Sequence, residues 1–441
     1  MNWSILPEGW SQEYGWWLVI LAAVGLLGGI LKYLIGAIWK RPRGKELDSL
    51  TKRIETLEQK AEPMPLVIQI GTQPSIPEDA EEIVTEADEL LEAGASVDTA
   101  ALIKIGNLAS AKSDYKKAEH YYQVALDQAK HSKRQDLAAA ALGNMGLIHC
   151  NRGKLDEALE YHEQALKKHR EIGYRQGEAS NLSNIGLIYL NRGDLVKALK
   201  HYKEALEIER DVGDRQGEAG SLGNMGNVYW LKRDMNEALR YHREALKTHR
   251  EIGDRQGEGS DLGNMGLIYH DKGDLDEAMD HFKLSLEIHR EVGYRQGETN
   301  GLCNMGAIYI LKRELDEARH CYEEALKIDR EIGYRQGEGN QLGNLGLILK
   351  AKGNLDEALR RHKDALKIHR EIGYRQGEAY HLANIGLIYK AQGDLDKALK
   401  YLKQALEIFE QIGMPLEVEK TKLIITDVEA EIKQKQQEKK Q

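Results

Sequence analysis

From residue 98 to residue 415 the apolar positions fall at helical spacing, in stretches that come in pairs. In one pair, Leu182, Ile185, Ile188 and Tyr189 recur three or four residues apart, which places them on one face of a helix. Asn191-Arg-Gly-Asp194 follows as a turn. Gly193 suits the left-handed position past a helix C-terminus, and Asp194 suits the cap of the next helix. Leu195, Ala198, Leu199, Tyr202, Ala205, Leu206 and Ile208 then make the apolar stripe of a second helix, which Gly213 ends. No segment alternates as a strand would, so the expected class is all-α.

The pair of helices repeats. Arg-Glu-Ile-Gly-Tyr-Arg-Gln-Gly-Glu at 170–178 returns nearly unchanged from 210, 250, 290, 330 and 370, a step of 40 residues without insertion or deletion. Strict periodicity of this kind predicts a solenoid. Gly146, Ala158, Ala165 and their equivalents are expected where helices cross, since larger side chains there would push the helices apart. Lys197, Lys200 and Glu204 on a second helix read as a solvated convex face.

Within one repeat, Leu182, Ile185, Gly186, Tyr189, Ala198, Tyr202 and Ala205 stand at the signature offsets of the tetratricopeptide repeat (TPR) family, which the array resembles. The repeats around Gly146, Gly226, Gly266, Gly306, Gly346 and Gly386 carry the same set. An earlier one around Leu102, Ile105, Gly106, Ala118, Tyr122 and Ala125 makes eight. His149 and Leu349 depart at the Tyr position, and His162, His242, His362 and Leu402 at the later aromatic position. The resemblance implies a right-handed superhelical solenoid of helix-turn-helix repeats. The 40-residue length, with its Gly-Tyr/Asp-Arg-Gln-Gly-Glu joint, is similar to Partner-of-Inscuteable adaptors and, more loosely, to kinesin light chains. That similarity is confined to the repeat.

The N-terminal pattern is different. Residues 16–39 are uncharged and mostly apolar except for Lys32, and their 24 residues exceed the roughly 20 that a bilayer core requires. Trp16, Trp17, Tyr33 and Trp39 resemble interfacial anchors. Residues 1–15 lack Lys and Arg and no small-residue cleavage site follows, so a retained anchor is expected rather than a signal peptide. Lys40, Arg41, Arg43 and Lys45 flank one end only, which orients everything after residue 40 toward the cytoplasm. Gly25 and Gly29, with a short seam at Leu47, Leu50, Ile54 and Leu57, permit a homodimer, although a lipid-facing glycine pair and a lone amphipathic helix explain them equally well. The chain is expected to divide into an extracytoplasmic N-terminus (1–15), a transmembrane helix (16–39), a basic flank with a short coiled-coil-like helix (40–60) and a Pro-rich linker (61–78) containing the apolar run Leu66–Ile70. An acidic helix (79–94), eight repeats (98–415) and a capping helix with a charged tail (416–441) complete it.

The 441 residues carry 62 Lys+Arg against 71 Asp+Glu, a net charge of −9 that argues against nucleic acid as a partner. The three cysteines, Cys150, Cys303 and Cys321, fit neither a disulfide framework nor a zinc site. No phosphate-binding loop, zinc-protease or nucleophile-elbow motif is present, and Gly257–Gly263 has the wrong spacing for a nucleotide loop. Neither a cofactor nor a metal is expected, and nothing suggests an enzyme. Histidines seven apart, such as His242 and His249, share a helix face, but no Cys, Asp or Glu completes a convincing ligand set, so they read as structural or solvated.

One polar column remains. Asn144, Asn184, Asn224, Asn264, Asn304, Asn344 and Asn384 hold the same place on seven first helices. By family resemblance this place lines the concave groove and grips a ligand's backbone. A carboxamide offers a donor and an acceptor, so it pairs with a peptide group without reading sequence. A structural ladder, each Asn bonding a neighbouring helix, fits the same column. Small residues precede each Asn and Leu often follows three later, where carboxylate-clamp TPRs carry Lys or Arg. Binding of an acidic chaperone tail is therefore not expected. The expected function is a membrane-anchored scaffold that binds an extended segment of a protein or peptide partner. A regulatory subunit switched by a partner or by its own linker is the alternative, and an assembly factor that uses its convex face is a third reading.

Overall fold

A computed structural model of the chain describes residues 80–92 and 97–438. The expected membrane span, its flank and the Pro-rich linker lie outside those residues. Among the described residues, no helix is long and apolar enough to cross a membrane.

Every regular element among the described residues is an α-helix. Helix α1 spans Ala80–Glu92 and α2 and α3 span Thr99–Ala111 and Tyr115–His131. The pairs α4 (Gln135–Asn151) with α5 (Leu155–Ile172), and α6 (Arg175–Asn191) with α7 (Leu195–Val212), follow. Then come α8 (Arg215–Leu231), α9 (Met235–Ile252), α10 (Arg255–Lys272), α11 (Leu275–Glu291), α12 (Arg295–Leu311) and α13 (Leu315–Glu331). The last five are α14 (Arg335–Ala351), α15 (Leu355–Glu371), α16 (Arg375–Ala391), α17 (Leu395–Gln411) and α18 (Pro415–Glu438). They form two compact bodies, one ending at Val212 and one beginning at Gly213. In each body a first helix packs on the second helix of its own repeat and on that of the repeat before it. Successive first helices also touch, which puts them on the inner side of each stack.

The turns follow from local chemistry. Asp194 Oδ1 accepts a hydrogen bond from Lys197 N at 3.1 Å, capping α7, while Gly193 sits at φ +77°. The acidic helix α1 is an integral cap: Ile83 and Ala87 are fully buried, and Tyr121 Oη donates to Val84 O at 3.0 Å. At the other end Val418, Ile425 and Val428 of α18 close the core over α17.

The charges of the joint, eight residues apart, pair with each other across it. Glu258 is only 5% exposed, and its carboxylate accepts from Arg250 Nε at 2.7 Å and from Arg255 Nη1. Burial pushes this carboxyl up, but the two arginines outweigh it and hold it below the usual glutamate range. Arg255 Nη2 also reaches Glu291, at the end of the next second helix, at 2.6 Å. Arg335 bridges Glu338 and Glu371 in the same way. Gly257 leaves room for His249, which would otherwise meet a Cβ. Arg, Gly and Glu of Arg-Gln-Gly-Glu thus each have a packing or pairing role, and at Gln216 the Gln side chain also donates to Asp254 of the next repeat at 2.8 Å.

Gly266 shows how tightly the helices cross. A Cβ there would lie 2.6 Å from Phe282 Cε1. Gly266→Val should therefore overpack the α10–α11 contact and cost about 1–3 kcal/mol. In a repeat stack the loss should be local, so hydrogen exchange should accelerate across residues 255–291. Unchanged protection there would contradict this packing.

Candidate functional site

The seven asparagines occupy one register position on the inner helices, but their surroundings differ. Asn144 is 1% exposed, and its Nδ2 donates to Asn107 Oδ1 at 2.9 Å. Tyr122 Oη donates to that same oxygen at 2.7 Å, so the position belongs to an internal network. Asn184 is 6% exposed, and its buried Nδ2 has no partner among the described residues. In the C-terminal body the position opens. Asn224, Asn264, Asn304 and Asn384 are half-buried and make no hydrogen bond within the described residues, and Asn344 Nδ2 reaches Gln341 Oε1 only at 3.4 Å. The ladder reading thus describes Asn144, whereas four asparagines of the second body keep a free carboxamide on the inner face.

Behind this row lies a second set of polar groups, between repeats. His242 is fully buried beneath Gly226, and Asp261, from the first helix of the next repeat, accepts from His242 Nδ1 at 3.1 Å. The other carboxylate oxygen of Asp261 lies 2.7 Å from His249 Nδ1. Burial lowers the pKa of His249, but the Asp261 hydrogen bond and charge outweigh it and raise the value above the usual histidine range. In the N-terminal body Asn181 holds the equivalent place, 3.0 Å from His162 Nδ1 and 3.0 Å from His169 Nδ1. In the C-terminal body the place falls to Gln341, which donates to Asp329 at 3.0 Å, and then to His381. His381 Nδ1 lies 3.3 Å from His362 Nδ1, and its ring centroid lies 4.8 Å from that of His369. Burial lowers His362 to about 4, and burial with its two histidine neighbours lowers His381 to about 3, so this cluster is neutral at pH 7. Among the described residues no group of three His, Cys, Asp or Glu could hold a metal ion.

The row and the histidine cluster meet in a cleft of about 470 Å³ in the C-terminal body. Asn344 and Asn384 line it with His369, His381, Tyr334 and Tyr380, and no carboxylate, ammonium or guanidinium does. Cys303 lines it too, its thiol pushed up to about 12 by burial and therefore not a nucleophile at neutral pH.

The tetratricopeptide repeat model matches residues 136–211, 177–251, 217–291, 262–331, 296–371 and 338–411, an unbroken run over more than half of the sequence. The chain is a tetratricopeptide repeat protein.

No curated protein matches this TPR protein. Solved structures do. A signal transduction ATPase with numerous domains and a tetratricopeptide repeat sensor, from Pyrococcus horikoshii, aligns over 79% of the chain at 18% identity and a TM-score of 0.55. The chain spans 55% of that protein's length. The apo quorum sensor NprR from B. thuringiensis aligns over 83% of this chain and 98% of its own, at 16% identity and a TM-score of 0.53. The Rap conjugation gene regulator of plasmid pLS20, solved with a Phr peptide, aligns over 85% of this chain and 97% of its own, at 17% identity and a TM-score of 0.50. Identities this low establish a shared fold.

Sequence reasoning found the asparagine column but missed the bridging position at Asn181, Asp261, Gln341 and His381. Its partners come from the preceding repeat, 12 and 19 residues back, outside any single helix. The usable signal was the column itself: the place lies five residues before the crossing glycine, and at Asn181, Asp261 and His381 it faces a histidine pair seven apart.

Proposed function

We propose that this TPR protein is an adaptor whose C-terminal body grips an extended segment of a protein partner along its inner face. Asn224, Asn264, Asn304 and Asn384, with Asn344, pair with the segment's peptide groups. The observation that carries the reading is the free, half-buried carboxamide recurring in register without a protein partner. Successive packed helices stand about 8–10 Å apart, and an extended chain advances roughly 3.3 Å per residue, so one asparagine meets about every third residue. The Rap regulator solved with a Phr peptide lends this a precedent on the same fold. In this reading the apolar run 16–39 tethers the adaptor to a membrane with the repeats on the cytoplasmic side.

One experiment tests both halves. The full chain is expressed with a photoreactive residue at Leu347, on the inner face, or at Lys283, exposed on a second helix. Membranes are washed with carbonate and then illuminated. The chain should stay in the membrane pellet and crosslink to a partner from position 347 and not from 283. Crosslinks from 283 alone would replace the groove by the convex face, and release by carbonate would remove the tether.

A further inference from the structure

The bridging position between repeats changes character along the chain, and the change coincides with the cleft. At Asn181 the amide is fully engaged: Oδ1 meets His162, and Nδ2 meets both His169 and Gly177 O, the last at 2.7 Å. At Asp261 each carboxylate oxygen meets one histidine. At His381 the place is taken by a third imidazole. Its Nδ1 faces His362 Nδ1, and its Nε2 is buried without a partner among the described residues. His381 is 6% exposed, and its ring lines the cleft. A buried nitrogen left without a partner loses the hydrogen bond that water would have given it. Gly343 makes the arrangement possible, since a Cβ there would come 2.5 Å from His381 Cε1.

The cleft's other walls state what would complete it. Asn300, Asn340 and Gln341 present amides, Tyr334 and Tyr380 present rings, and nothing in the lining carries a formal charge. An ionised side chain entering here would lose water and find no counter-charge. In a pair of neutral imidazoles joined through Nδ1, one Nε2 carries a hydrogen and the other does not. A ligand group that both donates and accepts therefore fits either tautomer of His381.

We propose that this cleft is a side-chain subsite of the groove that takes a carboxamide, the side chain of Asn or Gln, from the bound segment and pairs it with His381 Nε2. This rests on the reading of the inner face as a peptide groove. The row of asparagines holds the segment's backbone, and His381 selects one of its residues.

The test is a selection of random displayed dodecapeptides on the full chain, compared with the same selection on His381→Asn and His381→Gln. Asn copies the arrangement at Asn181, and Gln copies Gln341, the residue already standing at this place one repeat earlier. For the unaltered chain, one aligned peptide position should be enriched in Asn and Gln by roughly three- to tenfold, the worth of one hydrogen bond, and depleted in Asp, Glu, Lys and Arg. Both variants should still capture peptides but lose that preference. An unchanged preference in the variants, or enrichment of charged residues at that position, overturns the subsite and leaves the groove standing. If neither the chain nor the variants select any peptide, the groove reading falls and the subsite with it.

Discussion

Lowering the pH from 7 to 5 should loosen the repeats around His381 well before the rest of the C-terminal body. His362, His369 and His381 are 0%, 1% and 6% exposed, and burial keeps all three neutral, with the Lys350 charge adding to the effect at His362. Tyr374 packs edge-on against His369, and Gln336 O accepts from it at 3.4 Å, so no carboxylate stands by to stabilise an imidazolium. The folded values of about 4 and about 3 for His362 and His381 lie below the usual 6.5. Between those values the unfolded chain binds more protons than the folded one, so stability is complete above about pH 6.5 and falls as the pH drops. Each group costs about 1.4 kcal/mol per pH unit in that window, so the two together remove about 4 kcal/mol by pH 5. The Asp261 pair behaves oppositely. The raised pKa of His249 means its contribution is present at low pH and lost as the pH rises through that value. Hydrogen exchange measured at pH 7 and pH 5, corrected for intrinsic rates, should show protection lost across 335–391 and kept across 235–272. His381→Asn should flatten the response by removing one of the three titrating histidines. Equal protection at both pH values across 335–391 would show that the cluster is not buried and neutral as described.

The parts of this molecule that were legible in its sequence are those fixed within one repeat. Leu182, Ile185 and Ile188 announced a helix because their spacing is a property of that helix alone. Gly193 and Asp194 announced a turn because a positive φ and a side-chain cap are local demands. Gly146 was readable as a crossing point because the residue it faces, His162, belongs to the same hairpin. Contacts between repeats were not legible. Glu258 stands in a polar joint whose pattern gives no sign of burial, yet it is buried, because Arg250 and Arg255 close over it and Arg255 spans to Glu291. The histidine pairs looked unaccompanied because Asp261 reaches them from the next repeat's first helix. The asparagine column was visible, but identity at a position says nothing of exposure. Asn144 is sealed by Asn107, while Asn224 is not, and that difference depends on which side chains neighbour each first helix.

Removing three consecutive carboxamides from the inner face should abolish most peptide binding while sparing the fold. Asn224, Asn264 and Asn304 all lie in the C-terminal body, are half-buried and have no internal hydrogen bond to lose. If each contributes about 0.5–1.5 kcal/mol net to a bound backbone, the triple Ala change should cost roughly 1.5–4.5 kcal/mol, a tenfold to thousandfold loss of affinity. The same substitution at Asn144 should instead destabilise the N-terminal body, because it leaves Asn107 and Tyr122 with a broken buried network. The decisive measurement is the affinity of the triple variant for a peptide selected on the unaltered chain, taken beside its thermal unfolding curve. The account predicts a melting temperature within a few degrees of the parent and binding at least about tenfold weaker. A variant that melts far earlier yet binds normally while folded would show that these asparagines hold the repeats together and not a partner.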